Sequence, residues 1–156
     1  MQVGHELGGG NLLIFGSPGS GKSTLLRSLT TSLARAQNPS MVNIYILDFG
    51  GQSTLKVLEK FPHVGAVVTR IETERGERLI KYIQTEVQRR NILLRNAQVD
   101  NWMDYNKQVN PGMQIPALYL LIDGFGVLRQ TFPVEVIQGL MKLVSKGSFY
   151  QDYAKW

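Results

Sequence analysis

The sequence predicts an α/β fold, a mostly parallel sheet with helices on both faces, carrying a phosphate-binding loop at its carboxyl edge. Three observations predict it. Short runs of β-branched and apolar residues end at Asp48, Thr69 and Asp123, and they alternate with longer segments of helical period. A further apolar run, residues 11–15, leads directly into Gly16-Ser17-Pro18-Gly19-Ser20-Gly21-Lys22-Ser23-Thr24, which fits the pattern G-x-x-x-x-G-K-[ST]. Finally, 156 residues of which 43% are hydrophobic suffice for one compact core, so the chain reads as a single domain over residues 1–156.

The first element is a buried strand over residues 11–15, ending at the glycine-rich loop. A helix follows from Lys22, with Leu25, Leu26, Leu29 and Leu33 recurring toward a core. The loop glycines let successive N–H groups face one anionic centre, and the helix N-terminus adds partial positive charge. In such a loop residues 16–24 hold ATP: Lys22 meets the β and γ phosphates and Ser23 holds Mg2+. The glycine order is not G-x-G-x-x-G, which disfavours a dinucleotide fold.

The next strand covers residues 42–48 and ends at Asp48-Phe49-Gly50-Gly51; another covers 64–69. A short helix is expected over 53–60 between them. A long helix over 72–95 carries Leu79, Ile80, Ile83, Val87 and Leu94 on one side. Residues 96–116 are polar and irregular, with a turn at Pro111-Gly112. The strongest strand signal, 117–123, ends at Asp123, and a helix is expected over 133–146. Asp123 fits the second metal-site role, since a P-loop enzyme needs a carboxylate at the tip of a neighbouring strand. Asp48 occupies a similar strand end and reads equally as a nucleotide-side carboxylate or as the cap of a Gly-Gly turn.

The residue after Asp123 is Gly124, where many P-loop ATPases carry a glutamate that deprotonates the attacking water. Losing a positioned base removes about two to four orders of magnitude in rate. Glu72, Glu74 and Glu135 replace it only if the fold brings one to the γ-phosphate, so no catalytic residue is assigned. Arg70, Arg75 and Arg129 fall near strand ends or loops, and none is assigned as an arginine finger.

Composition narrows the partners. The chain has no cysteine, which excludes disulfides and thiolate metal sites, and His5 and His63 are too isolated to form a metal site. No apolar stretch reaches membrane-spanning length, so membrane insertion by this segment is not expected. The net charge of +5 permits nucleic-acid contact, but many basic residues lie among acids between Arg70 and Arg95, where a solvated helix face accounts for them. Trp102, Tyr105 and Trp156 sit in polar segments and read as loop anchors before they read as a partner surface.

Four segments carry a family resemblance: 10–24 with its P-loop, Ile-Tyr-Ile-Leu-Asp-Phe-Gly-Gly (44–51), Pro-His-Val-Gly-Ala-Val-Val-Thr (62–69) and Leu-Leu-Ile-Asp-Gly-Phe (120–125). Together they resemble an FtsK/SpoIIIE-type ATPase module, and within that group a module of the EccC/EssC ATPase of type VII secretion systems. The resemblance extends to about Phe149. It implies a RecA-like P-loop NTPase core, one of several tandem modules in a membrane-anchored protein with a cytoplasmic motor. The implied partners are ATP, secreted proteins or their C-terminal signal, and sister ATPase modules in a hexameric ring. Nucleic acid is not among them. Gly124 matches a downstream, degenerate module, in which the catalytic glutamate is often missing. A complete module continues past residue 149 into further strands, whereas 151–156 show no strand pattern, so an incomplete sheet with an uncovered edge and a tendency to self-associate is expected. A DNA translocase, a non-hydrolysing adaptor and a small-molecule kinase are the alternative functions, the kinase the weakest because no arginine lid signature is present.

Overall fold

The computed structural model describes residues 12, 14–51 and 53–146. Three strands, β1 (Val42–Asp48), β2 (Val64–Thr69) and β3 (Ala117–Asp123), form a parallel sheet in the order β2-β1-β3. The central strand is the most buried, and Ile44, Ile46 and Leu47 have no exposed surface. Its ladder with β3 runs unbroken from Val42 opposite Ala117 to Asp48 opposite Asp123. Its ladder with β2 shifts once, between Ile44 and Tyr45, and then also finishes level, with Asp48 opposite Thr69. The three strand ends therefore set Thr69, Asp48 and Asp123 side by side.

Helices cover both faces, as expected. On one face Ile44, Ile46, Val67 and Leu121 meet Leu26 of α1 (Lys22–Ala36), together with Leu55 and Leu58. On the other, Leu47 and Val68 meet Leu79, Ile80 and Ile83 of α2 (Thr73–Asn96). The same face carries Leu128 of a helix at Phe125–Thr131 and Ile137 and Leu140 of one at Val134–Lys146. Full burial of each such aliphatic side chain contributes about 1.5–3 kcal/mol before entropy is counted. Alternation along the strands fixes the chemistry at their ends: Ile44 and Ile46 face α1, so Asp48 does too, and Leu121 places Asp123 beside it.

The predicted strand over 11–15 is corrected. Asn11 and Leu13 lie outside the described residues, and Leu12, Ile14 and Phe15 are not in a strand. A run that is apolar on both sides needs a ladder partner and cover on two faces. Of the described residues of this run, Ile14 alone packs against the α1-side core, while Leu12 is 68% and Phe15 84% exposed. The short helix expected over 53–60 is a 3-10 turn, Lys56–Lys60. Ser53 sits at φ +48 and the Leu55 N–H is taken by the Asp48 carboxylate at 2.9 Å, so helical turns start only at Lys56.

Residues 96–116 hold a helix that the sequence reading left irregular, α3 (Trp102–Gln108). Asn101 caps it by accepting the Asp104 N–H at 2.9 Å, and its amide donates to the Asp104 carboxylate at 2.8 Å. Tyr105 is buried with Leu94 and Ile115, and Trp102 packs beside them, so both aromatics anchor a small third core. Trp156 and His5 lie outside the described residues. After β3 the chain forms α4 (Phe125–Thr131), also unpredicted, and then α5 (Val134–Lys146), which matches the expected 133–146. Within α2, Arg89 and Arg90 each donate to Glu86 at 2.7 Å. Among the described residues no helix is long and apolar enough to cross a membrane.

Candidate functional site

The loop before α1 is built by glycine geometry. Gly19 and Gly21 adopt φ +79 and +88, and Ser20 N–H closes a turn on the Ser17 carbonyl at 3.2 Å. Gly21 is the N-cap of α1, accepting the Leu25 N–H at 2.8 Å, so the helix opens at Lys22 with its N-terminus toward the loop. The Lys22 ammonium folds back over the loop and donates to the Gly16 and Ser17 carbonyls, each at 2.8 Å. Ser20 Oγ lies farther off, at 3.5 Å. Residues 16–21 are exposed, Pro18 among them, which leaves the mouth of the loop open. Thr24 points to the outer face of α1, where it lines a concavity of about 360 Å³ with Arg27, Ser28, Thr31, Ser32 and Arg35.

At the second residue of the helix, Ser23 Oγ donates to Asp123 Oδ2 at 2.5 Å across 100 residues of sequence. Asp123 is 6% exposed, and its backbone carbonyl accepts the Phe49 N–H at 2.9 Å. Gly50 passes so near that a Cβ there would lie 2.5 Å from Asp123 Oδ2. Hydroxyl and carboxylate oxygens beside a cradle of N–H groups are the hard donor set that Mg2+ takes, so these residues fit the ion that a P-loop requires.

Asp48, left between two readings by the sequence, is 2% exposed and next to Asp123 in register. Burial raises its carboxyl above the ordinary range, and the Asp123 charge adds to this, against a lowering by the Leu55 N–H and a smaller one by the Gly50 N–H. A 190 Å³ recess at the ends of β1 and β2 is lined by Asp48, Gly51, Ser53, Thr69, Arg70 and Ile71.

The glutamates considered as substitute bases are engaged or misplaced. Glu72 accepts the Thr69 N–H at 2.9 Å and the Thr69 hydroxyl at 2.8 Å, and it pairs with Arg75 at 2.8 Å. Those bonds, led by the Thr69 N–H, hold its carboxyl down to about 2 although burial opposes them. A group so acidic is a poor proton acceptor at neutral pH. Glu74 has 90% of its side chain exposed, and Glu135 opens α5, on the face away from α1. Arg75 is also tied to Glu59 at 2.7 Å, so it is not a free finger, while Arg70 and Arg129 are exposed. His63 is buried, with Nε2 2.8 Å from the Gln37 carbonyl.

Gly124 carries the sharpest constraint. It lies at φ +71, and a Cβ on it would stand 2.5 Å from the carbonyl carbon and oxygen of Phe49 and 2.7 Å from Gly50 N. Main chain thus fills the place in which a side chain after Asp123 would start.

Comparison with known proteins agrees with this architecture. EccC4 of the ESX-4 secretion system of Mycobacterium tuberculosis is 31% identical over 88% of this chain, which spans only 11% of that protein. The cytoplasmic domain of the type VII secretion ATPase EccC of Thermomonospora curvata superposes with a TM-score of 0.76 and 32% identity, over 85% of this chain and 16% of that one. A structure of ATPases 2 and 3 of EssC from Geobacillus thermodenitrificans gives 0.73 and 28%, over 82% and 24%. The conjugation coupling protein TcpA of pCW3, solved with ATPγS, gives 0.58 and 26%, over 83% and 35%. The fold is that of type VII secretion ATPase domains, and with residues 2–146 matching the FtsK/SpoIIIE family, the chain belongs to that family.

Proposed function

We propose that this chain is an ATP-binding module of a type VII secretion motor, which takes MgATP at residues 16–24 and Asp123 and hydrolyses it weakly or not at all by itself. The observation that carries this reading is the Ser23–Asp123 contact at 2.5 Å, which joins the loop helix to the end of β3 as a metal-binding P-loop requires. The N–H groups around Gly19 and Gly21 and the Lys22 ammonium bind the β and γ phosphates. Ser23 and Asp123 would hold magnesium, which when bound would offset the charge of the phosphates. Lys22 needs no large movement, because the Gly16 and Ser17 carbonyls already hold its ammonium at the loop.

No proton acceptor stands after Asp123, so in-line attack by water lacks a base within the chain. Turnover in the parent assembly then depends on groups from sister modules, arranged as a hexameric ring on the cytoplasmic side of the membrane that anchors the parent. The module's contribution to export is recognition of secreted proteins, through their C-terminal signal. The closed backbone at Gly124 favours a second form of this reading, a non-hydrolysing adaptor that uses nucleotide structurally.

Calorimetric titration of ATP with magnesium, with Lys22→Ala as control and oligomeric state recorded alongside, tests the reading. Binding by the wild-type chain and its loss in the variant are expected. Equal binding by both, or none by the wild type, would overturn it. Rapid turnover by the isolated monomer would overturn the non-hydrolysing part alone.

A further inference from the structure

Two carboxylates stand side by side at the end of the sheet with no cationic side chain among the described residues paired to either. Asp48 and Asp123 are direct partners in the β1–β3 ladder, on the α1 face, and are 2% and 6% exposed. Neither belongs to an ion pair among the described residues. The Lys22 ammonium is held at the Gly16 and Ser17 carbonyls instead. Like charges held together away from water repel and are poorly solvated, and a divalent cation relieves both costs.

One buried carboxylate oxygen remains without a partner. Asp123 Oδ2 accepts from Ser23 and Asp48 Oδ2 accepts the Leu55 N–H at 2.9 Å. Asp48 Oδ1 is buried without a hydrogen-bond partner, one of two such side-chain atoms among the described residues. Chain geometry also fixes the pair rather than leaving it to chance. The Phe49 N–H is bonded to the Asp123 carbonyl, and Gly50 presses against the Asp123 carboxylate at a distance only glycine permits. Magnesium keeps several of its waters when a protein binds it, and those waters need acceptors.

We propose that Asp48 is the second carboxylate of the magnesium site, a positioning residue whose Oδ1 accepts a hydrogen bond from a water in the ion's shell while Ser23 and Asp123 hold the ion side. This rests on the MgATP reading above. It assigns to the Asp-Phe-Gly-Gly segment a metal-orienting task, with the Leu55 N–H fixing the carboxylate so that one oxygen alone is presented. Outer-shell groups of this kind are worth about ten- to a hundredfold in metal affinity.

ATP titrations and thermal melts of the wild type and Asp48→Asn, in EDTA and in magnesium, test the proposal. In EDTA both should bind ATP equally, and the variant should melt no lower, because it removes one of two neighbouring charges while its amide oxygen still accepts from Leu55. Magnesium should then tighten ATP binding and raise the melting temperature of the wild type, with the gain in affinity about tenfold smaller in the variant. An equal magnesium gain in both would overturn the proposal. So would a lower melting temperature of the variant in EDTA with the magnesium gain intact, since Asp48 would then be only an anchor for Leu55. Asp48→Ser, which also lacks the presented oxygen, carries the same expectation if Asp48→Asn does not fold. Should the wild type bind ATP in neither buffer, the P-loop reading fails; Mn2+ without nucleotide, followed by electron paramagnetic resonance, then decides. Weaker Mn2+ retention by the variant sustains the role of Asp48, and equal retention ends it.

Discussion

Gly124→Glu gives the chain the glutamate that many P-loop ATPases carry at this place, and the structure predicts that it destabilises the domain without producing an ATPase. Gly124 is at φ +71, ψ 43, the left-handed region, which costs a residue with a Cβ about 1–2 kcal/mol. The new Cβ would also stand 2.5 Å from the Phe49 carbonyl. That carbonyl cannot rotate aside as a side chain would. Phe49 donates its N–H to Asp123 at 2.9 Å, its ring has no exposed surface, and the ring centroid lies 5.4 Å from that of Phe132. Overpacking of this kind adds about 1–3 kcal/mol.

The expected loss is therefore about 2–5 kcal/mol, a large part of the roughly 5–15 kcal/mol that stabilises a typical domain. Gly124→Ala should lose nearly as much, because the backbone angle and the Cβ, not the carboxylate, are at fault. Guanidinium denaturation of the three proteins measures the loss, and phosphate release measures turnover. If Gly124→Ala stayed within about 0.5 kcal/mol of wild type, the steric argument would be refuted. A rise in the turnover of Gly124→Glu by about two orders of magnitude would refute the claim that backbone has closed the base position.

Glu86 supplies a pH test. Its carboxyl is held down to about 2 from an ordinary 4.5, first by Arg89 and then by Arg90, against burial. A folded value below the unfolded one means that the stabilisation is complete above about pH 4.5 and disappears as pH falls through 2. Glu86→Gln should cost about 1–2 kcal/mol at pH 7, and the gap to wild type should close between those limits; a gap that does not change with pH would exclude the ion pairs as its cause. Asn106 tests the α3 segment: its buried amide donates to the Ile115 carbonyl at 2.8 Å and accepts the Ile115 N–H at 2.9 Å. Asn106→Ala strands both groups and should cost about 2–4 kcal/mol in thermal denaturation; a loss under 1 kcal/mol would mean that water replaces the amide.

What the sequence revealed follows the range over which each signal acts. The α1 helix, the three strands and α2 were legible because period and punctuation are local: Gly21 starts one helix, and the Asp48 and Asp123 ends follow unbroken apolar runs. The α3 helix had a readable cap in Asn101-x-x-Asp104, but seven residues of mixed polarity gave no period to go with it. The α4 helix was hidden because Gly124 reads as a turn, whereas its left-handed backbone is the N-cap of that helix. The strand over 11–15 failed for the opposite reason, since apolar content predicts burial only where neighbours supply both ladder and cover. Ile14 meets the core, and Phe15, the last residue before the loop, does not.

The partnership of Asp48 with Asp123 depends on strand order and register across 75 residues, and no local pattern contains it. That partnership also connects the two glycines at the site. Gly50 has no side chain, so the chain leaving β1 can lie against the Asp123 carboxylate; Gly124 has none, so the chain leaving β3 can lie against Phe49. Each strand end therefore seats the other, and the two carboxylates are brought close at the expense of the position from which a general base would reach. On the proposed reading the same contact that organises magnesium binding removes the base, so a module built this way binds nucleotide and hydrolyses it weakly or not at all. Restoring turnover then requires remodelling both strand ends together: Gly124→Glu alone meets Phe49, and moving Phe49 alone loosens the register that places Asp48 beside Asp123.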